Sequence, residues 1–199
     1  MNPDEIGKAY DQITHLWTDE GFNMTNGIAQ HNKAMSFAKH RGNALDIGCG
    51  CTGRFMDLLV SEGFTPSGLD VSSEMLKIAR EKHPDIQFIQ GDICEYVLSE
   101  KYDFITGWDS IWHIPLSEQK QVLTKIVESL NEGGVFIFSF GGTEESGAHK
   151  DDFMGPEVYY SSLGTNGFLN LFIEIGCIIR HLEYDQYPEL HTYLIVQKT

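Results

Sequence analysis

Short apolar runs and longer helical repeats alternate along the middle of the chain. Runs typical of β-strands cover residues 44–48, 65–70, 86–90, 102–107 and 135–140. Between them, apolar residues recur at the spacing of one helix face in residues 54–63, 72–82 and 117–130. This alternation predicts a mostly parallel sheet with helices on both faces.

The two ends of the chain follow different patterns. Residues 1–41 have a helical pattern and predict an N-terminal helical cap beside a core of residues 42–140. Residues 141–164 are rich in glycine, charged and aromatic residues without a clear period, which predicts either a substrate lid or short elements that the pattern does not reveal. Residues 165–199 predict a helix and a final hairpin. We therefore expect residues 1–199 to form a single domain.

The charge of the chain narrows its possible partners. There are 29 acidic and 14 basic residues, for a formal net charge of −15. Such a surface repels phosphate backbones, so we expect no nucleic-acid partner. No apolar stretch has the length of a membrane span, and the first residues lack the apolar core of a signal peptide. We expect a cytoplasmic protein with a small-molecule partner.

The cysteines give no sign of a metal site or a disulfide framework. The four cysteines are Cys49, Cys51, Cys94 and Cys177. The first two are separated by one residue and lack the C-x-x-C spacing of zinc sites. We expect reduced thiols and no bound metal.

A glycine-rich turn follows the first predicted strand. Gly48, Gly50 and Gly53 form G-x-G-x-x-G, which is also the fingerprint of dinucleotide binding. Asp46 lies two residues ahead of this pattern. In a parallel sheet, ligands bind beyond the carboxyl ends of the strands, and here acidic residues follow three further strands at Asp70, Asp92 and Asp109. Carboxylates disfavour a pyrophosphate and suit a ligand with hydroxyl groups, an amine and a positive charge.

Residues 42–140 contain several short motifs whose order along the chain is the same as in a known family of enzymes. LDIGCG, GLDVSSEML, GDI and LNEGGVFIFSF resemble the motifs of class I S-adenosylmethionine-dependent methyltransferases of the small-molecule type. The resemblance implies S-adenosylmethionine as cofactor and a Rossmann-like three-layer α/β/α sandwich, whose seven-stranded sheet is mostly parallel with an antiparallel last strand. One departure is that Cys51 and Thr52 lengthen the turn by one residue before Gly53, which is expected to alter the pose of the cofactor in detail.

The resemblance also implies roles for individual residues. Asp70 would accept hydrogen bonds from the ribose hydroxyls, Asp92 from the adenine amino group, and Asp46 would orient the methionine portion. The other implied cofactor contacts are Gly48, Cys49, Gly50, Val71, Met75, Ile93 and Trp108.

His113 is the candidate catalytic residue, because it follows the fourth strand where acceptors lie in similar enzymes. A hydroxyl or ammonium acceptor needs a general base, whereas a thiol, a tertiary amine or a carboxylate does not. The alternative for His113 is a place in the pocket wall. The residues predicted to bind substrate are Tyr10, Trp17, Asp109, Tyr159 and Tyr160.

Other interpretations remain for some of these residues and for the function of the whole chain. Ordinary core packing also explains Tyr10 and Trp17, and Asp109 also fits a loop cap or a contact with the amino group of the cofactor. For the whole chain, the pattern predicts a methyltransferase of a small molecule. The alternatives are an NAD-dependent oxidoreductase and a cofactor-binding protein without catalysis.

Overall fold

The computed structural model describes residues 1–199 and contains nine β-strands and seven α-helices. The strands are β1 (Asn43–Ile47), β2 (Thr65–Asp70), β3 (Gln87–Gln90), β4 (Tyr102–Gly107), β5 (Leu130–Gly141), β6 (Gly147–Asp151), β7 (Val158–Ser162), β8 (Cys177–Glu183) and β9 (His191–Lys198). The helices are α1 (Pro3–Asp11), α2 (His15–Thr18), α3 (Ile28–Met35), α4 (Arg54–Ser61), α5 (Ser73–Lys82), α6 (Leu116–Ser129) and α7 (Thr165–Glu174).

Seven of the strands form one sheet in the order β3-β2-β1-β4-β5-β9-β8. Strands β1 to β5 are parallel, and β9 runs antiparallel to both of its neighbours, β5 and β8. The predicted Rossmann-like sheet with an antiparallel last strand is therefore confirmed. Strand order reverses between β1 and β4, and this is the point where open α/β sheets bind ligands.

Alternating side chains of the strands supply both faces of the core. In β1, Leu45 and Ile47 join a cluster that includes Phe168 of α7 and residues of α6. Ala44 belongs instead to the cluster on the other face, with α3 and α4. Because the middle of the sheet is covered on both faces, a charged residue there is unusual, and Asp46 and Asp103 are the only carboxylates among the buried residues.

The segment 141–164 contains a two-stranded antiparallel hairpin formed by β6 and β7. The expectation of unrevealed short elements is thus correct. The residues of β6 are polar and mostly exposed, so they give no alternating pattern. Val158 of β7 packs on Ile6 and Ala9 of α1, which joins the hairpin to the N-terminal helix.

Helix α1 lies against the start of α5. Its N-terminus has a capping box between Asn2 and Glu5. At its C-terminal end, the Asp11 carboxylate accepts hydrogen bonds from Ser72 Oγ (2.6 Å) and the Glu74 N–H (3.0 Å). A Cβ at Gly7 would lie only 3.0 Å from the Val71 carbonyl oxygen, so this close approach requires glycine. None of the helices has the length and apolarity needed to cross a membrane.

Candidate active site

A cavity of about 640 Å³ lies at the carboxyl ends of the parallel strands, and α1 and the β6–β7 connection contribute to its wall. This volume is typical of sites for small molecules and cofactors, which span about 300–1,000 Å³. Most of the side chains singled out from the sequence line it. These are Tyr10, Trp17, Gly48, Cys49, Gly50, Asp70, Val71, Met75, Asp92, Ile93, Trp108, Asp109, His113 and Tyr160.

Tyr159 lies outside the cavity, contrary to the expectation that it binds substrate. Its hydroxyl accepts a hydrogen bond from the Leu116 N–H at 3.1 Å, at the start of α6. Successive side chains of a strand point to opposite faces, so Tyr160 faces the cavity and Tyr159 does not. Tyr159 contributes through its main chain instead, since its carbonyl oxygen is hydrogen-bonded to His113 Nδ1 at 2.8 Å.

The glycine turn after β1 adopts a conformation that favours glycine. Gly48, Gly50 and Gly53 have φ angles of 71°, 57° and 76°. A Cβ at Gly48 would lie 2.3 Å from the Cβ of Ser110, whereas a Cβ at Gly50 would meet no atom within 4 Å. Gly48 is thus required for packing against the loop after β4, and Gly50 leaves open space beside the cavity.

The Asp70 carboxylate is held in place by the backbone around it. One oxygen accepts from the Gly50 N–H and the other from the Ser72 N–H, both at 2.8 Å. Each oxygen keeps lone pairs for a ligand. Burial raises the pKa of Asp70, and the two N–H groups partly offset that rise. This geometry suits a ligand that presents hydroxyl groups.

The loop after β3 is fixed from below by a lysine of α6. Asp92 Oδ1 accepts a hydrogen bond from the Cys94 N–H at 2.8 Å. The Lys125 ammonium donates to the carbonyl oxygens of Ile93, Cys94 and Tyr96. One ammonium therefore orders three carbonyls within four residues of this loop, and Asp92 and Ile93 are held at the cavity wall.

Asp46 lies beneath the cavity, buried in β1 between Gly68 of β2 and Thr106 of β4. It is not among the residues that line the cavity. Burial raises the pKa of Asp46 to about 7, and the nearby Arg54 only partly offsets this rise. An unpaired carboxylate in such a place costs stability, which points to a functional reason for its presence.

Arg54 is a lining residue to which the sequence pattern gave no role. Its Nε donates to the Asn26 carbonyl at 3.1 Å and its Nη1 to Thr52 Oγ1 at 2.9 Å. The guanidinium lies 4.3 Å from the ring centre of Phe55. Arg54 is the only lysine or arginine in the lining, and its remaining N–H groups are available to an anion. Its position directly after Gly53 was the feature of the sequence that could have indicated a place in the site.

Trp108 forms part of the cavity wall, but its indole nitrogen is turned away from the cavity. Nε1 is buried and has no hydrogen-bond partner in the protein. The indole lies next to Gly27, whose Cβ would stand 3.0 Å from the Trp108 ring and 2.9 Å from Phe55. Trp108 therefore contributes an apolar surface to the cavity.

His113 lies in a short 3₁₀ turn, Ile111–His113, and faces the cavity. Because a carbonyl oxygen only accepts, the bond to Tyr159 assigns the proton to Nδ1. The unprotonated Nε2 then accepts from the Tyr10 hydroxyl at 2.7 Å and from Trp112 Nε1 at 3.0 Å. Burial lowers the pKa of His113 to about 4, so the ring is neutral at neutral pH.

A chain of charged groups closes the cavity beside β4 and β9. His191 Nε2 is 2.9 Å from Asp109 Oδ1, and His191 Nδ1 is 2.5 Å from Asp185 Oδ1. Asp109 has the left-handed φ of 56°, the only non-glycine residue with positive φ. Its backbone N–H and its carboxylate both bond to Ser139 Oγ. His191 was not anticipated because it is distant from every motif, and Ser139, although it lies within the motif of residues 130–140, gave no sign of its contact with Asp109.

No group of three or more His, Cys, Asp or Glu side chains has a geometry that could hold a metal ion.

These features define a ligand-binding α/β protein with its site at the switch in strand order. Residues 44–134 match the family model described as a methyltransferase domain. An uncharacterized methyltransferase of Alkaliphilus oremlandii is 31% identical over 101 residues, which are 51% of this chain and 46% of that protein. The chain spans about half the length of the curated relatives that it matches.

Solved structures are similar over most of the chain. A protein of Pyrococcus horikoshii is 25% identical, with a TM-score of 0.70, covering 87% of this chain and 89% of the other. The magnesium protoporphyrin IX methyltransferase of Synechocystis, solved with bound S-adenosylhomocysteine, has a TM-score of 0.75 at 15% identity, covering 98% of this chain and 100% of the other. Residues 44–134 thus carry the sequence pattern of a methyltransferase domain, and the chain as a whole has the fold of these solved structures.

Proposed function

We propose that this protein transfers a methyl group from S-adenosylmethionine to a small molecule. The observation that carries the proposal is the Asp70 carboxylate, fixed by the Gly50 and Ser72 N–H groups beside an open glycine turn. Two adjacent ribose hydroxyls match the lone pairs left on its two oxygens, and each charge-assisted hydrogen bond is worth about 1.5–3 kcal/mol.

The rest of the cavity wall fits the other parts of this cofactor. We assign the adenine amino group to Asp92, and the apolar walls around the adenosine to Val71, Met75 and Ile93. The carboxylate of the methionine portion is assigned to Arg54, the one lysine or arginine that lines the cavity. Gly48, Cys49 and Gly50 bring the main chain close to the same portion.

Asp46 acts on the methionine portion from below the turn. With its pKa raised to about 7, it changes protonation near neutral pH and supplies either a donor or an acceptor there. An NAD-dependent reaction is the less favoured alternative, because Asp70, Asp92 and Asp109 oppose a pyrophosphate whereas Arg54 alone attracts one.

When bound, S-adenosylmethionine supplies a methyl group that is already activated by the neighbouring sulfonium. The contribution of the protein is to orient the acceptor and exclude water, and orientation can supply about 7–11 kcal/mol. Trp17, Tyr10 and Tyr160 form aromatic contacts around the acceptor side of the cavity, which support both tasks.

For an acceptor that must lose a proton, we propose that Tyr10 and His113 act together. The Nε2 lone pair of His113 is already engaged by Tyr10 and Trp112, so it does not meet the acceptor directly. When the Tyr10 oxygen receives a proton from the methyl acceptor, the Tyr10 hydroxyl proton passes to His113 Nε2. Burial and the nearby Tyr160 raise the pKa of Tyr10 well above its ordinary value, so Tyr10 stays a neutral donor to His113 between turnovers.

Calorimetric titration with S-adenosylhomocysteine, with NAD in parallel, tests the proposal. Wild-type protein is expected to bind the first and not the second. Asp70→Ala is expected to weaken binding of S-adenosylhomocysteine by roughly tenfold or more. Asp85→Ala is the matched control, since Asp85 is exposed and outside the cavity. Binding of NAD alone would contradict the proposal.

A further inference from the structure

The cavity continues past the glycine turn toward β5 and β9, and this part has no ligand assigned by the proposed cofactor pose. In the sheet, β4 lies on the other side of β1 from β2 and β3, so Asp109 stands on the opposite side of the turn from Asp70 and Asp92. His191 begins β9 and pairs with Gly141 at the carboxyl end of β5. We call the region around Asp109, Trp112, Tyr160 and His191 the acceptor end.

The Asp109 carboxylate has one oxygen committed to the protein and one that is not. Oδ1 accepts hydrogen bonds from His191 Nε2 and Ser139 Oγ, both at 2.9 Å. Oδ2 has no hydrogen-bond partner in the protein, and the side chain is 34% exposed at the cavity wall. The backbone N–H of Asp109 donates to Ser139 Oγ at 2.7 Å, which fixes the strained left-handed residue in this orientation.

The charges around Oδ2 favour a cation. Burial alone would lower the pKa of His191, but hydrogen bonds and charge interactions with Asp109 and Asp185 raise it above its ordinary value. The imidazolium between two carboxylates leaves the group with one net negative charge. Arg54, the one lysine or arginine of the lining, is already assigned to the cofactor carboxylate, and both nitrogens of His191 are paired with Asp109 and Asp185. A phosphate or carboxylate acceptor therefore finds no spare basic side chain there.

Aromatic rings complete the acceptor end. Trp112 packs edge-on against His191 at 5.8 Å between ring centres and lies 6.4 Å from Tyr160. Tyr160 lies 5.0 Å from the His113 ring, and Tyr10 and Trp17 extend the same wall. Faces of tryptophan and tyrosine attract an ammonium group within about 6 Å through their negative π surfaces. Trp112 and Tyr160 also border a second cavity of about 220 Å³, which provides room for the body of a substrate.

We propose that the acceptor end is an ammonium-binding site, and that the methyl acceptor is an amine held by Asp109 Oδ2 against the rings of Trp112 and Tyr160. Before methyl transfer the ammonium gives one N–H proton to the Tyr10 oxygen while the Tyr10 hydroxyl proton passes to His113 Nε2, and this frees the nitrogen lone pair that accepts the methyl group. This inference rests on the proposed function only in calling the bound amine the methyl acceptor. The ammonium-binding site itself does not depend on the proposed function. The competing assignment of Asp109 is to the amino group of the cofactor, and the experiment separates the two.

The test uses three probes with one skeleton and different charge, namely benzylamine, benzyl alcohol and benzoate. Each is titrated into the protein saturated with S-adenosylhomocysteine, and binding is followed by ligand-observed NMR. Propylamine and propanol serve as a smaller pair, so that steric exclusion of the benzyl group does not hide a preference for the amine. We expect each amine to bind roughly tenfold more tightly than its neutral partner, and benzoate to bind more weakly still.

Variants assign the preference to Asp109. Asp109→Asn keeps an oxygen for His191 and Ser139 but removes the charge, and it is expected to abolish the preference for amines while changing S-adenosylhomocysteine affinity by less than about twofold. Asp85→Asn, at an exposed site, is the matched control and should leave both unchanged. Thermal unfolding of each variant checks that it is folded.

Three results overturn the proposal. The first is equal or tighter binding of the neutral probes or benzoate, and the second is the absence of amine binding with either skeleton. The third is a loss of about tenfold in S-adenosylhomocysteine affinity in Asp109→Asn, which would assign Asp109 to the cofactor. If wild-type protein binds no S-adenosylhomocysteine, the proposed function fails, and the probes are titrated into the free protein to judge the ammonium site by itself.

Discussion

The half of the cavity beside β1, β2 and β3 is formed mainly by residues between Ile47 and Ile93. The half beside β4 and β9 collects side chains from α1, the β4 loop, the β6–β7 hairpin and the start of β9. The first half relies on backbone N–H groups and on close approaches that require glycine. The second half relies on contacts between side chains that are far apart in sequence, such as Tyr10 and His113.

This difference indicates how the two halves divide their tasks. Backbone geometry set by a short local sequence suits a constant ligand, because few substitutions preserve it. Side chains on separate segments are free to change one at a time, which suits a ligand that differs between proteins of one fold. On the proposed function, the first half of this cavity is the cofactor half and the second is the acceptor half.

The largest expected effect comes from Gly48 in the cofactor half. Gly48→Ala combines a positive φ with a Cβ that would lie 2.3 Å from the Cβ of Ser110. We expect a loss of about 3 kcal/mol or more in the free energy of unfolding and loss of S-adenosylhomocysteine binding. Urea denaturation and calorimetry measure these quantities.

Gly63→Ala is the matched control for Gly48→Ala. Gly63 has a φ of 86°, but a Cβ there would meet no atom within 4 Å. Only the backbone strain of about 1–2 kcal/mol is expected, with no effect on binding. Equal losses at the two glycines would show that close packing against Ser110 is unimportant.

Asp46 should show a conflict between stability and binding. Its folded pKa of about 7 lies above the unfolded value, so the penalty for its charge is absent below the unfolded pKa, grows as pH rises toward the folded pKa of about 7, and is constant above it. Asp46→Asn is expected to raise the free energy of unfolding by an amount on the order of 2–4 kcal/mol at about pH 8, and by little at about pH 4. S-adenosylhomocysteine affinity should fall in the same variant.

Asp103 of β4 provides the contrast to Asp46. It is also buried, but its carboxylate accepts from the Gly42 N–H at 2.7 Å and from Asn131 Nδ2 at 2.8 Å. Asp103→Asn is therefore expected to lower the free energy of unfolding by about 1–3 kcal/mol at the same pH. If Asp46→Asn and Asp103→Asn both raise the free energy of unfolding, or if neither does, the functional interpretation of Asp46 is contradicted.

A variant of Lys125 tests whether the loop after β3, which carries Asp92, needs the lysine to hold its conformation. Lys125→Met removes the donor shared by three carbonyls and is expected to weaken S-adenosylhomocysteine binding by roughly three- to tenfold. Lys120→Met, at an exposed position of the same helix, is the control and should bind as the wild type does. Unchanged affinity in Lys125→Met would mean that the loop holds its shape by itself.

Tyr10 gives the smallest expected effect on the cofactor half. Tyr10→Phe removes the hydrogen bond to His113 and should lower the free energy of unfolding by about 1 kcal/mol. S-adenosylhomocysteine affinity should change by less than about twofold, since the two halves are built independently. A large loss of affinity would show that the halves are coupled through α1.

The cofactor half was accessible to sequence reasoning because its residues lie at fixed positions relative to the strands. Gly48, Asp70 and Asp92 each follow a strand with a clear apolar pattern, and the strand order then brings them together. Arg54 was overlooked although it is adjacent to the glycine motif, because nothing in the pattern shows that its side chain turns back toward Asn26 and Thr52.

The acceptor half was only partly predictable. Tyr10, Asp109, His113 and Tyr160 were proposed from their residue types and places, but their mutual contacts depend on how α1 and the hairpin pack. Tyr159 was misplaced because residues 141–164 showed no period, and without a period the face of each side chain is undetermined. His191 gave no signal, since its partners Asp109 and Asp185 meet it only through the pairing of β9 with β5.

A crystal structure of the protein with S-adenosylhomocysteine would test the division into two halves most directly. The account predicts ribose hydroxyls on Asp70, the adenine amino group at Asp92 and the amino-acid carboxylate at Arg54, with Asp109 Oδ2 facing space that the ligand does not fill. A ligand whose amino group binds Asp109, or whose ribose lies away from Asp70, would contradict it.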